Sequence, residues 1–393
     1  MPHALFGQDL LSLDGMSSND IADLLSAAAT LKAMLRRSEP HVLLAGKSLA
    51  MLFLKHSTRT RASFEVGMFQ LGGQAVFLSA NDIQLSRGET LGDTARVLSR
   101  YVHAIMARVF DHSQLEELAD GASVPVINGL SDLSHPVQAL ADALTIKEHF
   151  GGTSGVRLAY FGDGNNMTHA LLDLAPRAGM HISVATPPGY EPDPQVVARA
   201  RAAAEQAETE ILITHDPDEA AATADVLYTD VWVSMGQSDT AARMAAMRPY
   251  AITEKLMEAA RPGAIFLHCL PMHRGEEVAM AVADGPRSFV FDQAKTGCTS
   301  TKQFWHCCAR PKVNRSQRAN KHCRPHLCQH ECCAERGKTI ARQVKVFAAF
   351  IATSETATVE VRQRCLIGHA KLFSRRNRLL PGCARRCVVA RHP

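Results

Sequence analysis

The run Leu49-Ala50-Met51-Leu52-Phe53-Leu54-Lys55-His56-Ser57-Thr58-Arg59-Thr60-Arg61 decides how this chain is read. Its first six residues are uniformly apolar, as expected of a strand buried on both faces. The last five carry hydroxyls and guanidinium groups, and they lead into Arg61–Leu71, where Phe64, Met68 and Leu71 share one helical face. A strand that turns into a helix here presents free backbone N–H groups and the positive end of the helix dipole. With hydroxyls flanking an arginine in the same turn, the stretch makes a cradle for a phosphate. The plainer reading is a Ser/Thr helix cap beside a solvated arginine. Capping alone does not call for this density of donors.

The same alternation continues outward. Gln74–Leu78, His103–Val109 and Val124–Ile127 read as strands, and Thr90–Arg100 and Pro136–His149 as helices. Gly151-Gly152 then punctuates the chain. A second series has strands at Val156–Phe161, His181–Ala185, Ile211–Thr214, Val226–Tyr228, Ile265–Leu267 and Phe289–Phe291. Its helices are Thr168–Arg177 and one within Glu191–Ala207. Strands alternating with helices imply parallel sheets covered on both faces. The expected fold is α/β, with two doubly wound parallel-sheet domains, 1–150 and 151–294, joined by interdomain helices. Ligands would bind in the cleft at the carboxyl ends of the strands.

Composition changes abruptly after this region. The chain has 393 residues with 46% hydrophobic and 21% charged, which excludes a disordered protein or a small disulfide scaffold. Residues 295–393 carry 21 Lys+Arg against 4 Asp+Glu, a net of +17, whereas residues 1–294 carry 22 against 35, a net of −13. Of the 11 cysteines only Cys269 precedes Lys295. No apolar run approaches the ~20 residues of a membrane helix, and no basic segment with an apolar core opens the chain. The expectation is a soluble cytoplasmic protein.

Four further motifs carry chemistry. His135-Pro136-Val137-Gln138 opens the long helix at the domain junction, where an imidazole and an amide can donate to a carbonyl oxygen and accept from an amide N–H. A helix-start histidine is also often a cap. Phe161-Gly162-Asp163-Gly164-Asn165-Asn166 resembles a dinucleotide fingerprint, but an Asn stands near the third glycine position. A tight turn offering Asn side chains to a polar ligand fits better. Asp230-Val231-Trp232-Val233-Ser234-Met235-Gly236 puts an acid at a strand end, suited to a cationic amine or simply a cap. His268-Cys269-Leu270-Pro271 offers a thiol that is a nucleophile, a soft neighbour of an amine, or a buried inert group.

Taken in order, Ser-Thr-Arg-Thr, Arg108, His-Pro-x-Gln, Asp-Gly-Asn-Asn, Asp-Val-Trp-Val-Ser-Met-Gly and His-Cys-Leu-Pro closely resemble the ornithine carbamoyltransferase family, from about Leu5 to Ala294. The resemblance implies a carbamoyl phosphate-binding domain over 1–150 and an ornithine-binding domain over 151–294. Ser57, Thr58, Arg59, Thr60 and Arg108 would bind carbamoyl phosphate, with Gln84 supplied by a neighbouring subunit. His135 and Gln138 would hold the carbamoyl group, and Cys269 and Leu270 would line the reacting amine. Arg108, His135 and Cys269 are the candidate catalytic residues. Asn166, Asp230, Ser234 and Met235 would hold ornithine. The family is a homotrimer with shared active sites, uses no metal or organic cofactor, and needs neither membrane nor nucleic acid. Its product, citrulline, belongs to arginine biosynthesis or breakdown. Other amines, putrescine or an acylated ornithine, and an inactive remnant are the rivals.

The resemblance ends at Ala294. The family continues Glu-Asn-Arg-Leu-His into a terminal helix, and that arginine contributes to carbamoyl phosphate binding. Here the chain reads Lys295-Thr296-Gly297-Cys298-Thr299-Ser300-Thr301-Lys302-Gln303. Among the codons the genetic code permits, AAA ACC GGC TGC ACG TCC ACA AAG CAG would encode it. Preceded by one G they read Glu-Asn-Arg-Leu-His-Val-His-Lys-Ala. A single lost nucleotide would account for such a tail as an out-of-frame translation, and the tail as written implies impaired or absent activity. A zinc module at His322, Cys323, His326, Cys328, His330, Cys332 and Cys333 is a rival, but the spacing is no clean finger pattern. The basic excess would attract nucleic acid only non-specifically.

Overall fold

The computed structural model describes residues 7–233 and 240–297. The zinc and nucleic-acid readings of the tail fall outside these residues. Two wholly parallel sheets organise the chain. The first holds β1 (Ser48–Phe53), β2 (Gln74–Ser79), β3 (Ala104–Arg108) and β4 (Val126–Leu130) in the order β2-β1-β3-β4. The second holds β5 (Arg157–Phe161), β6 (His181–Ala185), β7 (Ile211–Thr214), β8 (Val226–Thr229) and β9 (Ile265–His268) in the order β7-β6-β5-β8-β9.

Parallel strands need crossovers, and helices supply them. In chain order these are α1 (Ser18–Arg36), α2 (Thr58–Gln70), α3 (Leu91–Leu98), α4 (His112–Gly121), α5 (Pro136–Phe150) and α6 (Asn166–Arg177). They continue with α7 (Pro194–Ala207), α8 (Pro217–Ala221), α9 (Thr240–Met247), α10 (Glu254–Ala259) and α11 (Met280–Ala283). Among the described residues no helix is long and apolar enough to cross a membrane.

Each sheet winds in two directions from its centre. In the first, the chain runs from β1 out to β2, then back to β3 on β1's other side. In the second, it runs from β5 to β6 and β7, then to β8 on the opposite flank. Helices cannot cover both loops at such a reversal, so a crevice opens at the carboxyl ends of β1 and β3, and another at those of β5 and β8.

Helix α5 joins the two sheets. Pro136, Val137 and every residue from Ala139 to Ile146 are buried, on all sides of the helix. A helix without a wet face has to be sandwiched. One core cluster accordingly contains Met51 and Phe53 of the first sheet, Leu140 and Leu144 of α5, and Tyr160 and Tyr228 of the second. Residue 150, where the boundary is expected, is the last residue of α5, and β5 begins at Arg157.

Two expectations change. Phe289–Phe291 is not a strand: Ser288 makes a single bridge to Phe266, and residues 290–297 are helical. A three-residue apolar run carries no periodicity with which to tell the two apart. Helix α2 also starts earlier than the apolar pattern suggests, at Thr58 instead of Arg61. Its first turn is polar because it faces a cavity.

Gly164 has no room for a side chain, since a Cβ there would lie 2.3 Å from the backbone nitrogen of Pro192. A Cβ at Gly152 meets nothing within 4 Å. Gly164→Ala should therefore cost about 1–3 kcal/mol in chemical denaturation, and Gly152→Ala close to nothing. Equal effects would show that the packing of the β5–α6 turn has been misread.

Candidate active site

A cavity of about 650 Å³ lies where the two crevices face each other. From the first sheet come the residues after β1. Ser57 is the N-cap of α2: its Oγ accepts from the Thr60 N–H at 3.2 Å and donates to the Thr60 hydroxyl at 2.9 Å. The capping role and the cradle thus coexist in one turn. Thr58, Arg59 and Lys55 line the same wall. Lys55 also lies over the Phe110 ring, 4.7 Å from its centroid. Partial burial and the nearby Arg108 lower its pKa.

Arg108 ends β3, where the ladder to β4 shifts register between Ala107 and Arg108. Burial, and then Arg59, pull its guanidinium down to about 10. It therefore remains a cation at neutral pH. Its Nε is buried and unpartnered. His135 caps α5 by position but makes no side-chain cap bond. Burial and the charge of Arg108 bring its imidazole to about 3, so it is neutral at any ordinary pH. Its Nδ1 is also buried without a partner. Two unsatisfied polar atoms at one cavity are costly unless a ligand completes them.

The second sheet supplies the opposite wall. Asn166 lines it, with its Nδ2 donating to the Ser131 carbonyl at 2.6 Å. Asp230 follows β8 and is 8% exposed. Its Oδ2 accepts from Asn165 at 3.2 Å, and its Oδ1 accepts from the Val231 N–H at 2.8 Å and from the Cys269 thiol at 2.9 Å. Burial, and then Asp230, push the Cys269 pKa well up, so the sulfur is a thiol and not a thiolate. Leu270 follows with φ at 61°, in the left-handed region, and its N–H donates to His268 Nδ1 at 2.8 Å. Backbone strain of this kind concentrates at binding sites.

Of the residues singled out from the sequence, Ser57, Thr58, Arg59, Thr60, Arg108, His135, Gln138, Asn166, Asp230, Cys269 and Leu270 all line this one cavity. Gln84 does not. It opens a short 3₁₀ turn, Gln84–Arg87, and its side chain is exposed. Ser234 and Met235 lie outside the described residues. Sequence reasoning placed Asn165 in a turn offering Asn side chains but gave it no separate role; it caps α6 with its Oδ1 and holds Asp230 with its Nδ2. Sequence reasoning passed over Gly297, which lines the cavity from the helical stretch 290–297. Only the position of Asn165 directly before a helix could have suggested its capping role.

Two family models match. One describes the carbamoyl-P binding domain of aspartate/ornithine carbamoyltransferase and covers residues 8–148; the other describes its Asp/Orn binding domain and covers residues 154–304. The chain is 54% identical over 291 residues to an ornithine carbamoyltransferase of Anoxybacillus flavithermus, covering 74% of this chain and 93% of that protein. It is 52% identical over 293 residues to an anabolic ornithine carbamoyltransferase of Pyrococcus furiosus, covering 74% and 93%. The solved structure of a Pyrococcus furiosus ornithine carbamoyltransferase superposes with a TM-score of 0.76 at 50% identity, over 78% of this chain and 98% of that one. A Gloeobacter violaceus structure gives 0.70 at 44% identity, over 78% and 99%. With both halves of the fold matched and the cavity formed at their facing strand ends, the chain belongs to the aspartate/ornithine carbamoyltransferase family.

Proposed function

We propose that this chain transfers the carbamoyl group of carbamoyl phosphate to the δ-amine of L-ornithine, giving L-citrulline and phosphate. The observation that carries the reading is the opposition of two walls in one cavity. A cationic, hydroxyl-rich helix start faces a carboxylate and a neutral thiol, with Arg108 and an uncharged imidazole between them. An anion belongs on the first wall and an amine on the second. The relatives named ornithine carbamoyltransferase support the same choice.

Ser57, Thr58, Arg59, Thr60 and Arg108 are read as the phosphate ligands, and His135 with Gln138 as the holders of the carbamoyl group. Ornithine's α-amino and carboxylate ends are assigned to Asn166, Asp230, Ser234 and Met235. The δ-amine has a free pKa near that of lysine, ~10.4, and must be neutral to attack. A partly dry site beside Arg59 and Arg108 favours the neutral form. The nitrogen adds to the carbonyl carbon, and Arg108, Thr60 and His135 meet the developing oxyanion. The C–O bond to phosphate then breaks, phosphate leaves into the cradle, and it can take the proton released by the nitrogen. Holding two substrates in line is worth up to roughly 7–11 kcal/mol in well-oriented cases. Cys269, protonated and bonded to Asp230, orients the amine and is not a nucleophile.

The domain assignment follows: residues 1–150 bind carbamoyl phosphate and residues 151–294 bind ornithine. The working unit is read as a cytoplasmic homotrimer. In support, a second cavity of about 460 Å³ opens on the outer side of the cradle and shares His56, Ser57 and Thr58 with the first. An exposed Gln84 from another copy has a route to the phosphate there.

One observation favours a weakened enzyme. Gly297 lines the cavity where the family's carbamoyl phosphate arginine is expected, and a Cβ placed on it meets nothing within 4 Å. The cradle is therefore read as one guanidinium short, and among the described residues nothing fills the place of a side chain there.

Three outcomes are expected. Full-length protein given carbamoyl phosphate and ornithine forms citrulline, and Arg108→Met lowers kcat by about 100-fold or more, as loss of an oxyanion donor does. Citrulline absent with ornithine but carbamoylated product present with putrescine would replace the acceptor. Gly297→Arg tightens carbamoyl phosphate binding by about tenfold, read by calorimetry, because a charge-assisted bond is added; no gain would mean that the position does not face the phosphate. Cys269 alkylates slowly at pH 8 in peptide-resolved mass spectrometry. Asp230→Asn speeds that reaction, since removing the carboxylate lowers the thiol pKa. A wild-type Cys269 as reactive as a free thiol would restore it as a candidate nucleophile.

A further inference from the structure

One buried carboxylate has no part in the scheme above. Asp142 lies on α5 one turn beyond Gln138 and is wholly excluded from solvent. Its Oδ1 accepts two amide N–H groups, from Gln138 Nε2 at 2.7 Å and from Gln293 Nε2 at 2.7 Å. Gln293 belongs to the helical stretch 290–297 and is itself buried. Its Oε1 accepts the His268 N–H at 2.9 Å, directly before Cys269, and its Nε2 also reaches the Tyr228 hydroxyl at 3.3 Å. A chain of side-chain bonds thus runs from the start of α5 to the carboxyl ends of β8 and β9.

An amide has two chemically different ends, and a carboxylate oxygen selects between them. It accepts and cannot match the carbonyl end, so Gln138 has to direct its nitrogen to Asp142. The carbonyl oxygen Oε1 is then the end left for the cavity that Gln138 lines. We infer that Asp142 is a positioning residue that turns the Gln138 carbonyl toward the cavity, where it accepts from the N–H₂ of the carbamoyl group. The inference rests on the reading of the cavity as a carbamoyl phosphate site. It explains why a costly buried acid is placed inside a helix buried on all sides.

The chemistry holds in either protonation state. Burial lifts the Asp142 carboxyl to about 7, against hydrogen bonds from Gln293, Gln138 and Tyr228 and with Asp230 adding to the rise. Both contacts to Oδ1 are donors, so a proton bound to the group sits on Oδ2 and leaves Oδ1 accepting. Asp142→Asn mimics that neutral form.

The test measures binding of carbamoyl phosphate and, separately, of inorganic phosphate to full-length protein by titration calorimetry. Gln138→Ala and Asp142→Leu should each weaken carbamoyl phosphate by about tenfold, the scale of one hydrogen bond left unmade in a buried site. Neither should change inorganic phosphate binding, because the phosphate touches the cradle and not Gln138. The double variant should bind no worse than Gln138→Ala alone, since Asp142 acts through Gln138. Asp142→Asn should stay within about threefold of the parent. Asp142→Ala is run beside Asp142→Leu, and unfolding midpoints are recorded for every variant, so that loss of fold in one does not end the test. Losses that multiply in the double variant, or phosphate affinity falling in step with carbamoyl phosphate affinity, overturn the positioning role. A parent chain that binds phosphate but not carbamoyl phosphate overturns the reading of the cavity, and the inference with it, before any substitution is made.

Discussion

Helix α5 has almost no face that water can wet, and the rest of the structure is arranged around that constraint. A helix buried from Pro136 to Ile146 on nearly every side must lie between two covering layers. The first sheet and its helices form one layer, and the second sheet forms the other. Sandwiching α5 brings residues at the carboxyl ends of both sets of strands to one cavity. The helix start then falls between them, and the polar residues His135 and Gln138 emerge into the cavity. Packing of the apolar residues thereby sets the distance between the two walls of the site.

The cavity so formed is electrostatically divided. Arg59 and Lys55 stand on one side, Asp230 with the Cys269 thiol on the other, and Arg108 between them. Burial, and then repulsion from Arg59, lower the pKa of Arg108 to about 10 without discharging it. Burial, and then the charge of Arg108, keep His135 neutral, so its ring retains one donor and one acceptor nitrogen at the cavity. Acidic groups on the opposite wall are tied by Asn165 and the Val231 N–H, which hold Asp230 in place before any ligand arrives. Preorganisation of this kind costs folding stability and is recovered on binding.

Much of this was legible in the sequence. Parallel strands covered on both faces read as plain apolar runs, so β6 and β7 match their expected bounds, and most other strands lie within a residue or two. The motifs at strand ends were legible because a turn that must bind something cannot be apolar. Other features left weaker traces. Phe289–Phe291 looked like a strand because three apolar residues have no measurable period, and the bridge at Ser288 with the helix behind it depends on what lies across from it. Asp142 and Gln293 are separated by 151 positions, and each alone is an ordinary polar residue in a helical stretch. Nothing local marks them as partners.

The sequence by itself determined the α/β class, the order of the hydroxyl- and arginine-rich motif and of the acid- and thiol-bearing motifs, and the break at Lys295. These are properties of period, residue type and charge along the chain, and they need no knowledge of distant contacts. Only the tertiary structure decided which polar atoms are left unpartnered at the cavity, that Gln84 stays outside its own chain's site, and that Gly297 reaches the cavity wall. It also decided which end of the Gln138 amide is held by Asp142. Hydrogen bonding and desolvation act between atoms a few ångströms apart, whatever their separation in sequence, so these outcomes exist only once both sheets have closed around α5.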